Sequence, residues 1–356
     1  MDGVDESWRP DLLGEGFMCR DLDLGVDDSP AEDASAGSVP LLATLVRALP
    51  EPVRFWQRLF GSPRLLDGVD VLYVHGWSDY FFQRHLARFW TDRGARFYAL
   101  DLRRYGRSLR EGQLPGYVEN LSDYDAEIGL ALTAMREDGS AVRAPRGGGA
   151  RRLILLGHST GGLVLSLWAD RNRGIADALI LNSPWLELQA SSTVRRALQP
   201  VVNLRARFSP HEHALPQLDL GFYSEAQSRV SDPEDMALVN TAWRPQHTLP
   251  VRGGWLSAIL KGHSQVEDGL GIDAPVCVML SAHSQFGLNW HEDMVRADTV
   301  IEVEGTAQAA LHLGPTVTIE RIDGALHDIF LSERSVRAEA YARLDRWVTG
   351  WRAARV

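Results

Sequence analysis

Leu153-Ile154-Leu155-Leu156-Gly157-His158-Ser159-Thr160-Gly161-Gly162 carries a run of aliphatic residues into a glycine-rich turn and then, from Leu163, into residues at helical spacing. The aliphatic run suits a buried strand. G-x-S-x-G at such a junction is the pattern of a sharp strand-to-helix turn. Side chains at Gly157 and Gly161 would collide with neighbouring backbone, while Ser159 is lifted toward solvent as a candidate nucleophile. Gly and Ser are common enough for the bare pattern to arise by chance, so the strand before it and the helix after it are what give it meaning. A second stretch, Gly262-His263-Ser264-Gln265-Val266, lacks the second glycine and any preceding strand, and Ser264 is expected to be a cap or loop residue.

Apolar runs bounded by turn residues recur on both sides, at 69–74, 96–100, 178–181, 276–280 and 317–322. Between them, 80–90, 124–135, 163–168 and 336–351 have helical spacing. Strand and helix alternate, which predicts an α/β fold with a mostly parallel central sheet and helices on both faces. Two alternating segments, 16–24 and 39–46, predict an antiparallel pair ahead of it. Residues 143–150 read as a flexible basic surface loop. Residues 184–273 interrupt the alternation and are rich in Pro, Gly, Trp and Phe; they read as a cap inserted over the carboxyl ends of the strands, where open α/β sheets bind ligands. The expected organisation is thus a core of 1–183, with an acidic extension over 1–40, a cap of 184–273, and a second part of the core over 274–356.

The chain has 356 residues, 45% of them hydrophobic, enough for a large core. Eleven acids and two arginines in residues 1–40 carry a net charge of −9 out of −10 for the whole chain, leaving the rest nearly neutral. An acidic segment without a basic stripe argues against nucleic acid and against electrostatic capture by anionic lipid. No apolar run approaches the length of a membrane span, and the first residues lack a secretory pattern, so a cytoplasmic location is expected. Cys19 and Cys277 cannot build a disulfide framework and read as structural. His211 and His213 share a metal-like spacing, but no third ligand stands nearby, and neither metal nor cofactor is expected.

Four segments resemble the α/β-hydrolase family, in its serine-aminopeptidase and monoacylglycerol-lipase branch with an inserted cap. Val71-Leu72-Tyr73-Val74-His75-Gly76-Trp77 is similar to the strand and His-Gly loop that holds one oxyanion donor there. Asp101-Leu102-Arg103-Arg104-Tyr105-Gly106-Arg107-Ser108 is similar to D-x-R-G-x-G-x-S, with Arg104 where glycine is usual. The turn around Ser159 is the third segment, and Gly324-Ala325-Leu326-His327-Asp328 resembles the loop of the catalytic histidine.

The resemblance implies His327 as base, with the backbone N–H groups of Thr160 and Trp77 as oxyanion donors. His75 and His158 are expected to support their loops. The acid departs from the family pattern, because Ser284 occupies its usual position after the strand 276–280. Asp298, 29 residues before His327, is the expected replacement, with Asp293 and Glu292 as rivals on the same inserted segment. An apolar cap surface that includes Trp185, Leu186, Phe208, Leu215, Leu218, Leu220, Phe222, Tyr223, Trp243, Trp255, Leu256 and Ile259 favours an apolar ester substrate, of monoacylglycerol or lysophospholipid type. Glu187, Glu212, Glu225 and Glu234 keep a peptidase open as an alternative, beside a lactonase or acyltransferase with the same triad. A non-catalytic binding protein on a hydrolase scaffold is the alternative of another class. The face of the last helix bearing Leu344, Trp347, Val348 and Trp351 is expected to pack on the sheet.

Overall fold

Apolar side chains at alternate positions send one set to each face of a sheet. The computed structural model describes residues 7–27, 39–52, 63–140, 150–188, 209–213 and 219–354. Their strands are β1 (Arg9–Pro10), β2 (Phe17–Val26), β3 (Pro40–Ala48), β4 (Val69–Val74), β5 (Arg96–Asp101), β6 (Arg152–His158), β7 (Ala178–Asn182), β8 (Val276–Ser281) and β9 (Val317–Ile322), in one sheet ordered β1-β2-β3-β5-β4-β6-β7-β8-β9. The leading strands β1, β2 and β3 pair antiparallel, as does β3 with β5, and all pairs from β5 to β9 are parallel. From β4 the chain moves to β5 on one side and then to β6 on the other. The switch point therefore lies between β4 and β6, and the loops after these two strands flank its crevice.

The helices are α1 (Arg84–Asp92), α2 (Asp125–Ser140), α3 (Thr160–Arg171), α4 (Phe222–Val230), α5 (Pro233–Met236), α6 (Gly253–Asp268), α7 (Val303–Ala310) and α8 (Arg334–Ala353). Leu72, Val74, Leu155, Leu179 and Val278 meet α2, α3, α6 and α7 on one face. Val71, Tyr73, Ile154, Leu156, Ile180 and Met279 meet α1 and α8 on the other. On α8, Leu344 and Val348 are fully buried, each contributing about 2 kcal/mol of apolar transfer, with Trp351 and Trp347 packed beside them.

Two local readings need correction. The helix expected from Tyr80 starts at Arg84, because Tyr80, Phe81 and Phe82 are tied down as irregular chain: the Asp101 carboxylate accepts the Phe81 N–H at 2.9 Å, and the Tyr80 hydroxyl donates to the Leu238 carbonyl at 3.0 Å. Ser264 is not in a loop but inside α6, donating to the Leu260 carbonyl. The glycine of that stretch serves packing, since a Cβ on Gly262 would lie 2.9 Å from Leu121 and 3.1 Å from Leu167.

The acidic amino-terminal stretch braces the body. Arg107 pairs with both Asp11 and Asp101 below the surface, and Arg104 pairs with Asp27 at 2.5 Å and donates to the Tyr117 carbonyl. Arg104 has φ +62°, the conformation for which glycine is favoured, so its ion pair holds a strained residue in place. Residues 1–6, 28–38 and 141–149, the last covering nearly all of the expected basic loop, lie outside the described residues.

Between β7 and β8 the described inserted residues sit over the carboxyl ends of the strands. Helix α6 packs on α3, the Trp255 ring lies 3.7 Å from that of Trp77, and Arg244 pairs with Asp79 at 2.8 Å. No described helix is long and apolar enough to cross a membrane.

Candidate active site

Ser159 stands between β6 and α3 at φ +51° and ψ −119°, a conformation L-residues seldom adopt. The surroundings over-determine it: its N–H donates to the Asn182 carbonyl at 3.0 Å, and its own carbonyl accepts from Gly162 and Trp185, each at 3.0 Å. A Cβ on Gly157 would lie 2.7 Å from the Gly162 Cα, and one on Gly161 would lie 2.3 Å from the His75 carbonyl oxygen. Neither position accepts a side chain, as the spacing predicted.

His327 is brought to the serine by the loop after β9, with Nε2 2.9 Å from the Ser159 Oγ. On its other side Nδ1 is 2.8 Å from the Asp298 Oδ2. The second oxygen of Asp298 accepts the N–H groups of Val300 and Ile301 at 2.8 and 2.9 Å, which fixes the carboxylate in a fully buried site. Asp298 reaches this point because residues 284 and 298 form a parallel bridge: Asp298 N–H donates to the His283 carbonyl and Gln285 N–H to the Asp298 carbonyl. Ser284 has become a strut, with its hydroxyl donating to the Ile301 carbonyl and accepting the Val303 N–H. The rivals lie elsewhere. Asp293 is 75% exposed beside His291, and Glu292, equally exposed, pairs with Arg229.

Thr160 opens α3, so its N–H belongs to the amides that a helix leaves unpaired at its start. A Cβ on Gly76 would lie 3.0 Å from the Ser159 Cβ, which brings the peptide between Gly76 and Trp77 close to Ser159. His75 supports its loop: Nε2 accepts the Leu102 N–H at 3.1 Å while Nδ1 donates to the Gly76 carbonyl. His158 donates through Nδ1 to the Asn182 carbonyl, and burial pushes its pKa below the usual histidine value despite Asp328 at 4.0 Å. His211 packs on Tyr117 rather than toward Ser159.

Sequence reasoning missed the buried polar group behind the histidine. Asp328 accepts from Asn182 at 2.7 Å, from Gln83 at 2.6 Å and from the Phe330 N–H, and its own N–H donates to the Tyr223 hydroxyl. The only signal was its adjacency to His327. Tyr223, from the inserted segment, sets its ring 5.5 Å from that of His327, and Trp185 stands 6.1 Å from Trp255. Of the other apolar cap residues, Trp243 packs on Tyr80, Ile259 and Leu256 are buried, Leu220 is exposed, and Phe208, Leu215 and Leu218 lie outside the described residues. Glu225 pairs with Arg229, while Glu212 and Glu234 face solvent.

The sequence model of the family described as serine aminopeptidase, S33, matches residues 69–335. No curated protein matches the sequence. Among solved structures, the fold is similar to a monoacylglycerol lipase of Paleococcus ferrophilus, at TM-score 0.55 and 18% identity over 79% of this chain and 94% of that one. It is also similar to a soluble variant of monoglyceride lipase from Saccharomyces cerevisiae, at TM-score 0.58 and 17% identity over 92% and 96%. A thermostable carboxyl esterase from Bacillus coagulans gives TM-score 0.55 and 14% identity over 94% and 99%. At such identities the likeness shows the α/β-hydrolase fold.

Proposed function

Because the chain belongs to the serine aminopeptidase S33 family of α/β-hydrolases, we propose that it hydrolyses carboxylic esters through an acyl-Ser159 intermediate. The observation that carries this reading is the relay Ser159 Oγ, His327, Asp298, with contacts of 2.9 and 2.8 Å. His327 Nε2 takes the Ser159 proton as Oγ attacks the ester carbonyl, and Asp298 holds the Nδ1 proton and balances the imidazolium. The N–H groups of Thr160 and Trp77 receive the oxyanion. As the intermediate collapses, His327 gives its proton to the leaving alkoxide. Water then enters, loses a proton to His327 and attacks the acyl carbon, and the proton returns to Ser159 as the acid departs.

An apolar acyl group is favoured by the aromatic rings near the site, where Tyr223 lies against His327 and Trp255 stacks on Trp77 and Trp185. An aminopeptidase needs a carboxylate for the free amine. Buried Asp79 is already neutralised by Arg244, and Asp328 is saturated by amide donors. The lipase and esterase names of the structural neighbours fit the ester reading, with monoacylglycerol-like or lysophospholipid-like esters as the finer expectation. Initial rates on p-nitrophenyl esters from acetate to palmitate, with Ser159→Ala as blank, test it. Turnover rising to medium or long chains and vanishing in the variant is expected. Wild-type rates in Ser159→Ala would refute the mechanism, and absence of fluorophosphonate labelling would turn the reading toward a binding protein.

A further inference from the structure

Thr160 buries a hydroxyl that no described residue pairs with. The residue is 5% exposed, and its Oγ1 has no hydrogen-bond partner among the described residues. A threonine within a helix usually donates to the carbonyl four residues back. Thr160 is the first residue of α3, so the residue four back is Leu156, within strand β6. Burying a hydroxyl unpaired costs free energy that the isosteric valine would avoid, and a buried polar group without a partner in a native structure calls for an explanation.

The placement supplies one. Thr160 follows Ser159, and its Oγ1 is carried on the Cβ of the same residue whose amide is expected to bind the oxyanion. A substrate oxygen seated on that amide is the acceptor the hydroxyl lacks. β-Branching restricts χ1, so little side-chain freedom is lost when the bond forms. We propose that the Thr160 hydroxyl is a side-chain oxyanion donor, which adds to the backbone N–H groups of Thr160 and Trp77 a third hydrogen bond made to the acyl oxygen as it gains charge. This rests on the serine-hydrolase reading above. It makes Thr160 a catalytic residue in its own right rather than only a carrier of an amide.

The test compares Thr160→Val, which removes the hydroxyl at nearly constant shape, with Thr160→Ser, which keeps it. Three readouts are taken: kcat and KM on the best p-nitrophenyl ester, the rate of fluorophosphonate labelling of Ser159, and Tm. In Thr160→Val, kcat is expected to fall on the order of 10²-fold at little-changed KM. Labelling slows in parallel, because phosphonylation develops negative charge on the same oxygen, while Tm stays level or rises. Thr160→Ser restores most of both rates. A packing role predicts the opposite pattern, with lowered Tm and no rescue by serine. Val within about twofold of wild type, or Ser as impaired as Val, overturns the proposal. Ser159→Ala separates the two layers: inactive Ser159→Ala beside fully active Thr160→Val removes only the third donor, whereas wild-type turnover in Ser159→Ala, or a wild type that takes no label, removes the serine mechanism and the donor together.

Discussion

Asp298→Asn has an outcome that follows from which hydrogen bonds Asp298 already makes. One of its oxygens accepts two backbone N–H groups, from Val300 and Ile301, and only an oxygen can take that place. In the asparagine variant the amide oxygen is therefore held by those donors, and the NH2 group faces the His327 Nδ1. A donor there forces Nδ1 to be the acceptor, which puts the imidazole proton on Nε2, pointing at the Ser159 Oγ. The base then meets the serine with a proton already in place. In a serine protease, the same tautomer inversion lowers kcat on the order of 10⁴-fold, equivalent to about 5.4 kcal/mol in the barrier. Stability changes little, by about 1 kcal/mol or less, since no amide is orphaned. Asp298→Ala differs: it strands two buried N–H groups at about 1–3 kcal/mol each, so its Tm falls along with its activity. The assay is initial rate on the preferred p-nitrophenyl ester, paired with thermal unfolding, and Asp293→Asn serves as the control. Retention of more than about a tenth of kcat in Asp298→Asn, or an equal loss in Asp293→Asn, would refute the reasoning.

Other outcomes follow from the packing and the buried charges. Gly161→Ala would place a methyl 2.3 Å from the His75 carbonyl, so a loss above about 4 kcal/mol is expected, read as absent soluble protein or a collapsed urea midpoint; a variant of wild-type stability would contradict the close approach. Arg104→Gly removes left-handed strain worth about 1 kcal/mol but breaks the buried ion pair with Asp27, at about 3 kcal/mol, so it destabilises by about 2 kcal/mol; adding Asp27→Asn regains part of that, and strictly additive single effects would show the pair to be uncoupled. His158 titrates lower folded than unfolded, so the unfolded chain binds its proton first: stability is intact above the ordinary value of 6.5 and declines as the pH falls through it. The Tm of His158→Asn should fall less across that window than the wild-type Tm, and equal slopes would assign the acid sensitivity to other groups.

The sheet was legible because its strands are short runs with turn residues at both ends, and β4 begins and ends at the residues expected. Helix starts were harder. Residues 80–82 are as apolar as a helix face, yet the Asp101 carboxylate that holds them out of the helix is supplied from the end of β5, and no local pattern reports that. The meeting of Ser159 and His327 was readable because glycine turns and chain order mark both positions. The contact of Asp298 with His327 was readable only by distance along the chain, since the bridge between residues 284 and 298 is what brings it there. Asp328, Tyr223 and the stacking of Trp255 on Trp77 depend on contacts between segments far apart in sequence, and nothing in their neighbours announces them. Arg104 is instructive in the other direction. In sequence it is an arginine where glycine is usual, and the structure couples it to the acidic stretch that had no assigned role.

The bridge between residues 284 and 298 ties together the two ends of the segment that carries Phe286, Leu288 and Trp290. Because the ends are clamped, the exposed tip of that segment is mechanically separate from Asp298, while Trp290 packs on Phe222 and Met294 is buried. Doubling its length would cost only about 0.6 kcal/mol in closure entropy. The tip, where Leu288 is 88% exposed, is therefore free to be lengthened, shortened or exchanged while Asp298 stays at its post. Such a closed segment is a cassette, a place at the rim of the crevice where new sequence can be accepted without re-registering the relay.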